Sequence, residues 1–323
     1  MSTAAEVGRC ESCRGLVDAE DLFCANCGTA IPDREPAHLG RAAREAKNFA
    51  CRGCGATMNY DAEAQSLKCP FCGSVDLVDQ GTTGVLAPEF VIPFAIDRTQ
   101  AEARLRNWMG SSFWHPDDLR HTASVTGMTA AYVPYWIFNT NVSTHWTADS
   151  SETPHGARAD WFPVSGNHES RYDDLWVPAG SGLAARELDS IGPYDASGGV
   201  PPDQVDLDHV TVEQFSVSRR YARPLAQGRL EALEAQAVAG LVLGRSRNVH
   251  VNVLMEGAAS RAALVPVFVL AYRYRDRVYR YVLNGQNGNA TGSAPVSKAK
   301  IGTIAAFVVV VLLIILLVLI TRN

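Results

Sequence analysis

The sequence predicts an α+β protein: two small N-terminal cysteine ribbons, a mixed β-rich α+β body and one C-terminal transmembrane helix. Three observations predict it. All eight cysteines fall within the first 72 residues as four Cys-x-x-Cys pairs, the middle of the chain mixes period-two with helical apolar spacing, and Ile301 to Thr321 carry no charge. The segments are ribbon 1 at 8–30, a linker at 31–48, ribbon 2 at 49–75, the body at 84–295 and the helix at 301–321.

At 323 residues the chain holds a medium body plus small modules, since compact domains run to roughly 100–200 residues. Apolar residues make up 47% and charged residues 20%, which suits a packed core rather than a disordered tail. The net charge of −5 weighs against gripping a polyanion, because such binding runs on Lys and Arg displacing counterions. "MSTAAEVGRC" lacks the apolar stretch of a secretory signal, so the N-terminal part is expected in the reducing cytoplasm, and no cysteine remains for a disulfide in the body.

Cys51, Cys54, Cys69 and Cys72 form C-x2-C-x14-C-x2-C, with Gly55 and Gly73 after the second cysteine of each pair. Cys10, Cys13, Cys24 and Cys27 repeat the device with a ten-residue insert, and Gly28 follows the last of them. A Cys-x-x-Cys pair curls both thiolates onto one metal, and the glycine permits the turn that aims amides at sulfur. Four thiolates fill a tetrahedral Zn²⁺ and leave no position for water or substrate, so two structural zinc ions are expected. Each module has too few apolar residues to fold alone, and metal binding supplies on the order of 10 kcal/mol of folding free energy. A thioredoxin-like dithiol needs one such pair on a βαβ unit, not four in paired register.

Through residue 80, eight basic residues against twelve acidic ones leave −4, to which the zinc thiolates add. Phosphate would be repelled, so the ribbons are expected to contact proteins rather than nucleic acid. Tyr60 and Phe71 could each stack a base, yet one aromatic per knuckle is expected in the core of so small a module.

In the body, Asp97 with Gln100 three residues on makes a capping box, and Ala101, Leu105, Trp108 and Met109 then recur at helical spacing. "AYVPYWIFNTNVSTHWTAD" alternates, with Trp136, Phe138, Thr140, Val142, Thr144 and Trp146 on one face and Asn139, Asn141, Ser143 and His145 on the other. Pro134 lacks a ladder donor and should mark a bulge, strand start or edge. "SGGVPPDQ" at 197–204 reads as a loop. A second helix is expected from about Pro224 through Leu230, Leu233, Ala237 and Leu241 to Gly244. "ALVPVFVLAYRYRDRVYRYVLNGQNG" reads as a hairpin turning near Asp276, with tight turns at Asn284-Gly285 and Asn287-Gly288.

No catalytic motif is found. The histidines (38, 115, 121, 145, 155, 168, 209, 250) include no His-x-x-x-His pair, and neither a G-x-S-x-G elbow nor a phosphate loop occurs. His168 with Asp173 and Asp174 could form a catalytic group, but "RYDDLW" reads more simply as an exposed strand or turn, and His115 before Pro116 and Asp117 as a helix start. The chain is therefore expected not to be an enzyme, and no small-molecule substrate follows from it.

From Ile301 to Thr321 a helix rising ~1.5 Å per residue spans about 30 Å, the thickness of a bilayer's hydrocarbon core. Lys298 and Lys300 precede the run and Arg322 follows it, which places the N-terminal body in the cytoplasm, the side the thiolates also require. The expected location is the cell membrane, single-pass and tail-anchored.

"CRGCGATMNYDAEAQSLKCPFCGS", "YVPYWIF", "VPVFVLAYRYRDRVYRYVLNGQNGNATG" and the closing span, in that order, resemble bacterial membrane proteins with a TFIIB-type zinc ribbon, often labelled primosomal or helicase-like. The resemblance covers most of the chain from about residue 48, and the family's usual N-G-Q-T-G stands here as Asn284-Gly285-Gln286-Asn287-Gly288. It implies partners among SPFH (flotillin-like, "virion core") proteins and phage-shock-type membrane-stress proteins. The expected function is a non-enzymatic adaptor that brings such proteins to the bilayer. The alternative is a membrane-tethered nucleic-acid-binding zinc-ribbon protein.

Overall fold

The computed structural model describes residues 8–9, 11–12, 16–17, 29, 44–59, 68–152, 155–156, 160–207 and 209–322. Cys10, Cys13, Cys24 and Cys27 of the first expected ribbon, and Tyr60, lie outside the described residues. The described strands begin with β1 (Gly8–Arg9), β2 (Leu16–Val17), β3 (Arg44–Cys51), β4 (Thr57–Asn59), β5 (Leu77–Val85) and β6 (Phe90–Val91). They continue with β7 (Ser124–Ser150), β8 (Phe162–Pro178), β9 (Thr211–Glu213), β10 (Ser246–Tyr274), β11 (Arg277–Asn284) and β12 (Ala290–Gly292). The helices are α1 (Arg98–Met109), α2 (Leu119–Thr122), α3 (Ala185–Ile191), α4 (Arg219–Leu241) and α5 (Lys298–Arg322). The protein is mixed α+β, with a separate β1–β2 pair, one ten-stranded sheet and an apolar C-terminal helix.

The chain divides into two compact units. The first comprises Met1–Pro93, Ala131–Ala185 and Asp195–Val265, and the second Phe94–Ala130, Arg186–Tyr194 and Pro266–Asn323.

In the first unit β3 lies between β4 and β5, antiparallel to both; β4 pairs with β9, and β9 runs parallel to β7. β7 pairs antiparallel with β8 from Tyr135↔Pro178 to Ser150↔Phe162. The ladder begins one residue after Pro134, which has no N–H to give, while the Pro134 carbonyl accepts the Ala179 amide at 2.9 Å. The expected alternation holds along β7 only from Phe138 onward, where Phe138, Thr140, Val142 and Thr144 are buried and Asn141 and His145 exposed; up to there, residues 131–138 are buried on both faces. That face meets α4 in a core of Trp136, Phe138, Val142, Leu175, Val177, Ala222, Ala226, Leu230, Val253 and Met255.

Helix α4 differs from the expectation. It starts at Arg219 rather than near Pro224, with Ser218 as its N-cap, so the proline sits inside the helix. Its buried stripe is Ala222, Ala226, Leu230, Glu234 and Val238, while the expected Leu233 and Leu241 are exposed. The leucine spacing allowed two stripes a helical step apart, and the sheet takes the narrower one, whose alanines let the helix approach closely.

In the second unit Asp97 caps α1 as expected: its carboxylate accepts the Gln100 amide at 2.8 Å, and the Gln100 side chain accepts the Asp97 amide at 3.1 Å. Ala101, Leu105 and Met109 pack onto Phe268, Leu270 and Tyr272 of β10 and Tyr281 and Leu283 of β11. The β10–β11 hairpin closes at Tyr274↔Arg277, with Arg275 in the left-handed region at φ +54°. His115 starts no helix; the four-residue α2 opens at Leu119, and Nδ1 of His115 lies 2.9 Å from the Met109 carbonyl, folding the loop back onto α1.

Candidate metal centre and buried carboxylates

Strand β3 delivers Cys51 at its last position, and Cys54 follows in a turn closed by the Gly55 amide donating to the Cys51 carbonyl at 2.8 Å. The second knuckle repeats this with Gly73 donating to Cys69 at 2.8 Å. Gly55 and Gly73 take φ of +79° and +77°, the left-handed conformation that the glycine after each pair was expected to allow. The amides of Cys51 and Cys69 donate to the carbonyls of Ala56 and Ser74, each at 2.8 Å, and Arg52 donates to Asp76 at 3.0 Å to join the knuckles.

The four sulfurs converge. Sγ of Cys51 and Cys72 are 3.5 Å apart, those of Cys54 and Cys69 3.6 Å, and all four lie within 4.8 Å of one another, close enough to hold a metal ion. A tetrahedron with ~2.3 Å metal–sulfur bonds has edges of about 3.8 Å. Burial opposes charge on Cys51, but the Cys54 amide, the Cys72 sulfur and the Gly53 amide outweigh it and bring the thiol down to about 7. Burial pushes Cys54 up to about 11 and Cys69 higher still. Four thiolates do not coexist in this space unaided, so the donor set fits a divalent cation that offsets their repulsion.

Around the centre, Phe71 is buried, as expected of a module core, and is unavailable to stack a base. A Cβ on Gly182 would lie 2.6 Å from Cγ of Phe71, so only glycine lets that loop cross the knuckle. The loop is held by Glu213 of β9, opposite Met58 of β4: its Oε1 accepts the amides of Ser181 and Gly182, each at 2.6 Å. Glu213 is 2% exposed, and burial pushes its carboxyl up to about 7 although the two amides pull the other way.

A second buried carboxylate lies between α4 and β8. Nδ1 of His168 lies 2.7 Å from Oε2 of Glu234, and the hydroxyls of Ser170 and Tyr172 donate to Oε1 at 2.6 Å each. Residues 168, 170 and 172 alternate along β8 and so share one face. Burial alone would push Glu234 up; hydrogen bonds from His168, Ser170 and Tyr172 outweigh it and hold the carboxyl at about 2. Burial, with the Glu234 carboxylate adding, pushes the Tyr172 phenol up to about 12. Asp173 and Asp174 do not join His168: they pair with Arg171 at 3.1 Å and Arg261 at 2.9 Å. Glu213 and Glu234 escape sequence reasoning because a glutamate in a helix or strand reads as a solvent position; the one available signal was the period-two row of hydrogen-bonding side chains in "HESRY".

The chain is 23% identical over 316 residues to an uncharacterised protein, YdjG, of Bacillus subtilis (strain 168), an alignment covering 79% of this chain and 92% of that protein. No family model matches the chain, and no solved structure matches it. The first unit also holds a cavity of about 410 Å³ beside Asn59, Leu86, Val205, Leu207, Val212 and Phe215. Asn59 braces its wall, accepting the Val212 amide at 2.6 Å.

Proposed function

We propose that this is a membrane-anchored adaptor in which a structural Zn²⁺ at Cys51, Cys54, Cys69 and Cys72 stiffens a protein-docking head. The observation that carries it is the closed four-sulfur centre, because a metal bound by four thiolates has no position left for substrate. The centre is laddered into the sheet through the β4–β9 pair, so its knuckles form a rigid surface that loses little entropy on docking. Cys10, Cys13, Cys24 and Cys27 hold a second ion in the same way.

Helix α5 is 25 residues long, its most apolar 18-residue window has mean hydropathy 3.5, and none of the described residues in that window is buried within the chain, which suits a single membrane crossing. Lys298 and Lys300 in its first turn, ahead of the uncharged run from Ile301, support a head on the cytoplasmic side. Confinement to a thin layer raises encounters with other membrane-attached proteins without any new contact energy. By the sequence resemblance these are SPFH-type or phage-shock-type proteins. The acidic head disfavours nucleic acid.

The test is crosslinking in cells, followed by identification of what the full chain captures. Membrane-associated proteins captured by the full chain, and lost both with Cys51→Ser/Cys54→Ser and with the span alone, support the reading. Capture of nucleic acid alone, or nothing beyond the span-only control, refutes it.

A further inference from the structure

The second unit carries twelve Lys and Arg against seven Asp and Glu, a net of +5, whereas the first carries seventeen against twenty-seven, a net of −10. The basic unit is the one that holds α5. Within it the loop between α1 and α2 is fastened to the start of α5: the Ser297 amide donates to the Trp114 carbonyl at 2.8 Å, and Lys300 Nζ donates to the His115 carbonyl at 3.0 Å and pairs with Asp117. Lys300 Nζ also lies 5.2 Å from the centre of the Phe113 ring.

This fastening leaves two large aromatics outside the core. Phe113 is 62% exposed and Trp114 47%, and their rings meet edge to face at 5.5 Å. Exposing such a pair in water forfeits much of the stabilisation that burying large apolar side chains gives. At a bilayer boundary the same residues are favoured, because an aromatic ring offers an apolar body and Trp adds an N–H for the headgroups. The hairpin tip adds charge at the same place: Tyr274 donates to Asp118 at 2.8 Å, and Arg275, whose side chain is 75% exposed, lies 4.0 Å from that carboxylate. Lys298 is exposed on the first turn of α5.

We infer that the loop Gly110–Asp118 is an interfacial membrane element: Phe113 and Trp114 enter the headgroup boundary of the bilayer that α5 crosses, and Lys298 and Arg275 face anionic lipid phosphates. The height is set by the chain itself, since Trp114 is bonded to Ser297, four residues before the apolar run begins at Ile301. Each basic group near an anionic surface adds to the attraction. The inference rests on the reading of α5 as a membrane span.

The experiment reconstitutes the full chain in vesicles of phosphatidylcholine and phosphatidylglycerol whose acyl chains carry a quencher either near the headgroup or near the bilayer centre. Subtracting the emission of Trp114→Phe from that of the wild type isolates the Trp114 component. The expected result is quenching of that component at least about two-fold stronger by the shallow label than by the deep one, with little quenching by aqueous iodide. Hydroxyl-radical oxidation of the wild-type chain in the same vesicles gives a reading that needs no variant: Trp114 is protected, while Tyr221, 69% exposed in the first unit, is oxidised. A Trp114 that iodide quenches and labelled lipid does not, in a chain that floats with the vesicles, overturns this inference alone. A chain that fails to float overturns the span and the inference together.

Discussion

Glu234 of α4 and His168 of β8 meet at 2.7 Å with the carboxylate fully buried, so the stripe by which the helix packs on the sheet has a charge within it. Ser170 and Tyr172 fill the other oxygen, and a buried carboxylate needs such donors to remain ionised.

Removing the carboxylate strands three donors. Glu234→Ala is expected to destabilise the chain by about 3 kcal/mol, the scale for deleting one partner of a buried charged network. The pH dependence follows from the sign of the shift. A carboxyl held at about 2, below its ordinary range, contributes stability that is fully present above its unfolded pKa and is lost as pH falls toward 2. Denaturant unfolding of the full chain in detergent, followed by tryptophan emission, should show Glu234→Gln closing the gap to wild type only at acid pH. An equal gap at every pH would show that the fold does not hold this carboxyl below its ordinary range.

Glu213 titrates in the opposite sense. With its carboxyl pushed up to about 7, the stability it confers is fully present below the ordinary carboxylate range and is lost as pH rises through 7. Glu213→Gln keeps an oxygen for the amides of Ser181 and Gly182 but cannot ionise. The variant should gain on wild type as pH rises from about 5 to 8, measured by the same unfolding assay.

The two glutamates mark where the sequence stops being legible. Elements written in local spacing could be read: the Asp97–Gln100 capping box, the cysteine knuckles with Gly55 and Gly73, the β7 alternation from Phe138 onward and the hairpin at Tyr274↔Arg277. What failed depended on distant partners. The start of α4 was misplaced because proline favours a first turn, whereas this helix accepts Pro224 in its interior. Its buried face was misread because nothing near Glu234 in sequence announces donors more than 60 residues away. The division into two interleaved units has the same cause, since each unit is assembled from three separate stretches of chain.

Metal removal tests the cysteine centre. Cys51→Ser/Cys54→Ser should lower the metal content of the purified chain by one ion relative to wild type, measured by elemental analysis. Cobalt substituted into the wild type should give the visible bands of a tetrahedral thiolate site. Because Gly182 crosses Phe71 with no room for a Cβ, Gly182→Leu should cost about 1–3 kcal/mol by overpacking and speed metal transfer to a chelator, with the four cysteines unchanged. A transfer rate equal to wild type would mean that the loop does not brace the centre.

Asn284 is the keystone of the turn that follows β11. Wholly buried, it donates from Nδ2 to the Ile191 carbonyl at 2.9 Å, while its Oδ1 accepts the amides of Gln286 and Asn287 at 2.8 and 3.2 Å. Asn289 and Asn287 then donate to the next two carbonyls, Gly192 at 2.8 Å and Pro193 at 2.7 Å. Three asparagine amides thus hold three successive carbonyls of a segment about 90 residues earlier, a bond pattern that gives the Asn-Gly-Gln-Asn-Gly-Asn run a reason beyond turn formation. Asn284→Ala leaves one buried carbonyl and two amides unmet and should cost about 2–3 kcal/mol. Asn284→Asp keeps the two acceptor bonds but sets a carboxylate against the Ile191 carbonyl, so it should be at least as damaging. Asn287→Ala, which loses two solvent-exposed bonds, to the Pro193 carbonyl and from the Asn289 amide, should cost about 1 kcal/mol or less. Trypsin cleavage after the exposed Arg186 should quicken in the same order, because the strap is what pins 191–193. If Asn284→Asp instead matched wild type, the bond to Ile191 would not be holding the segment.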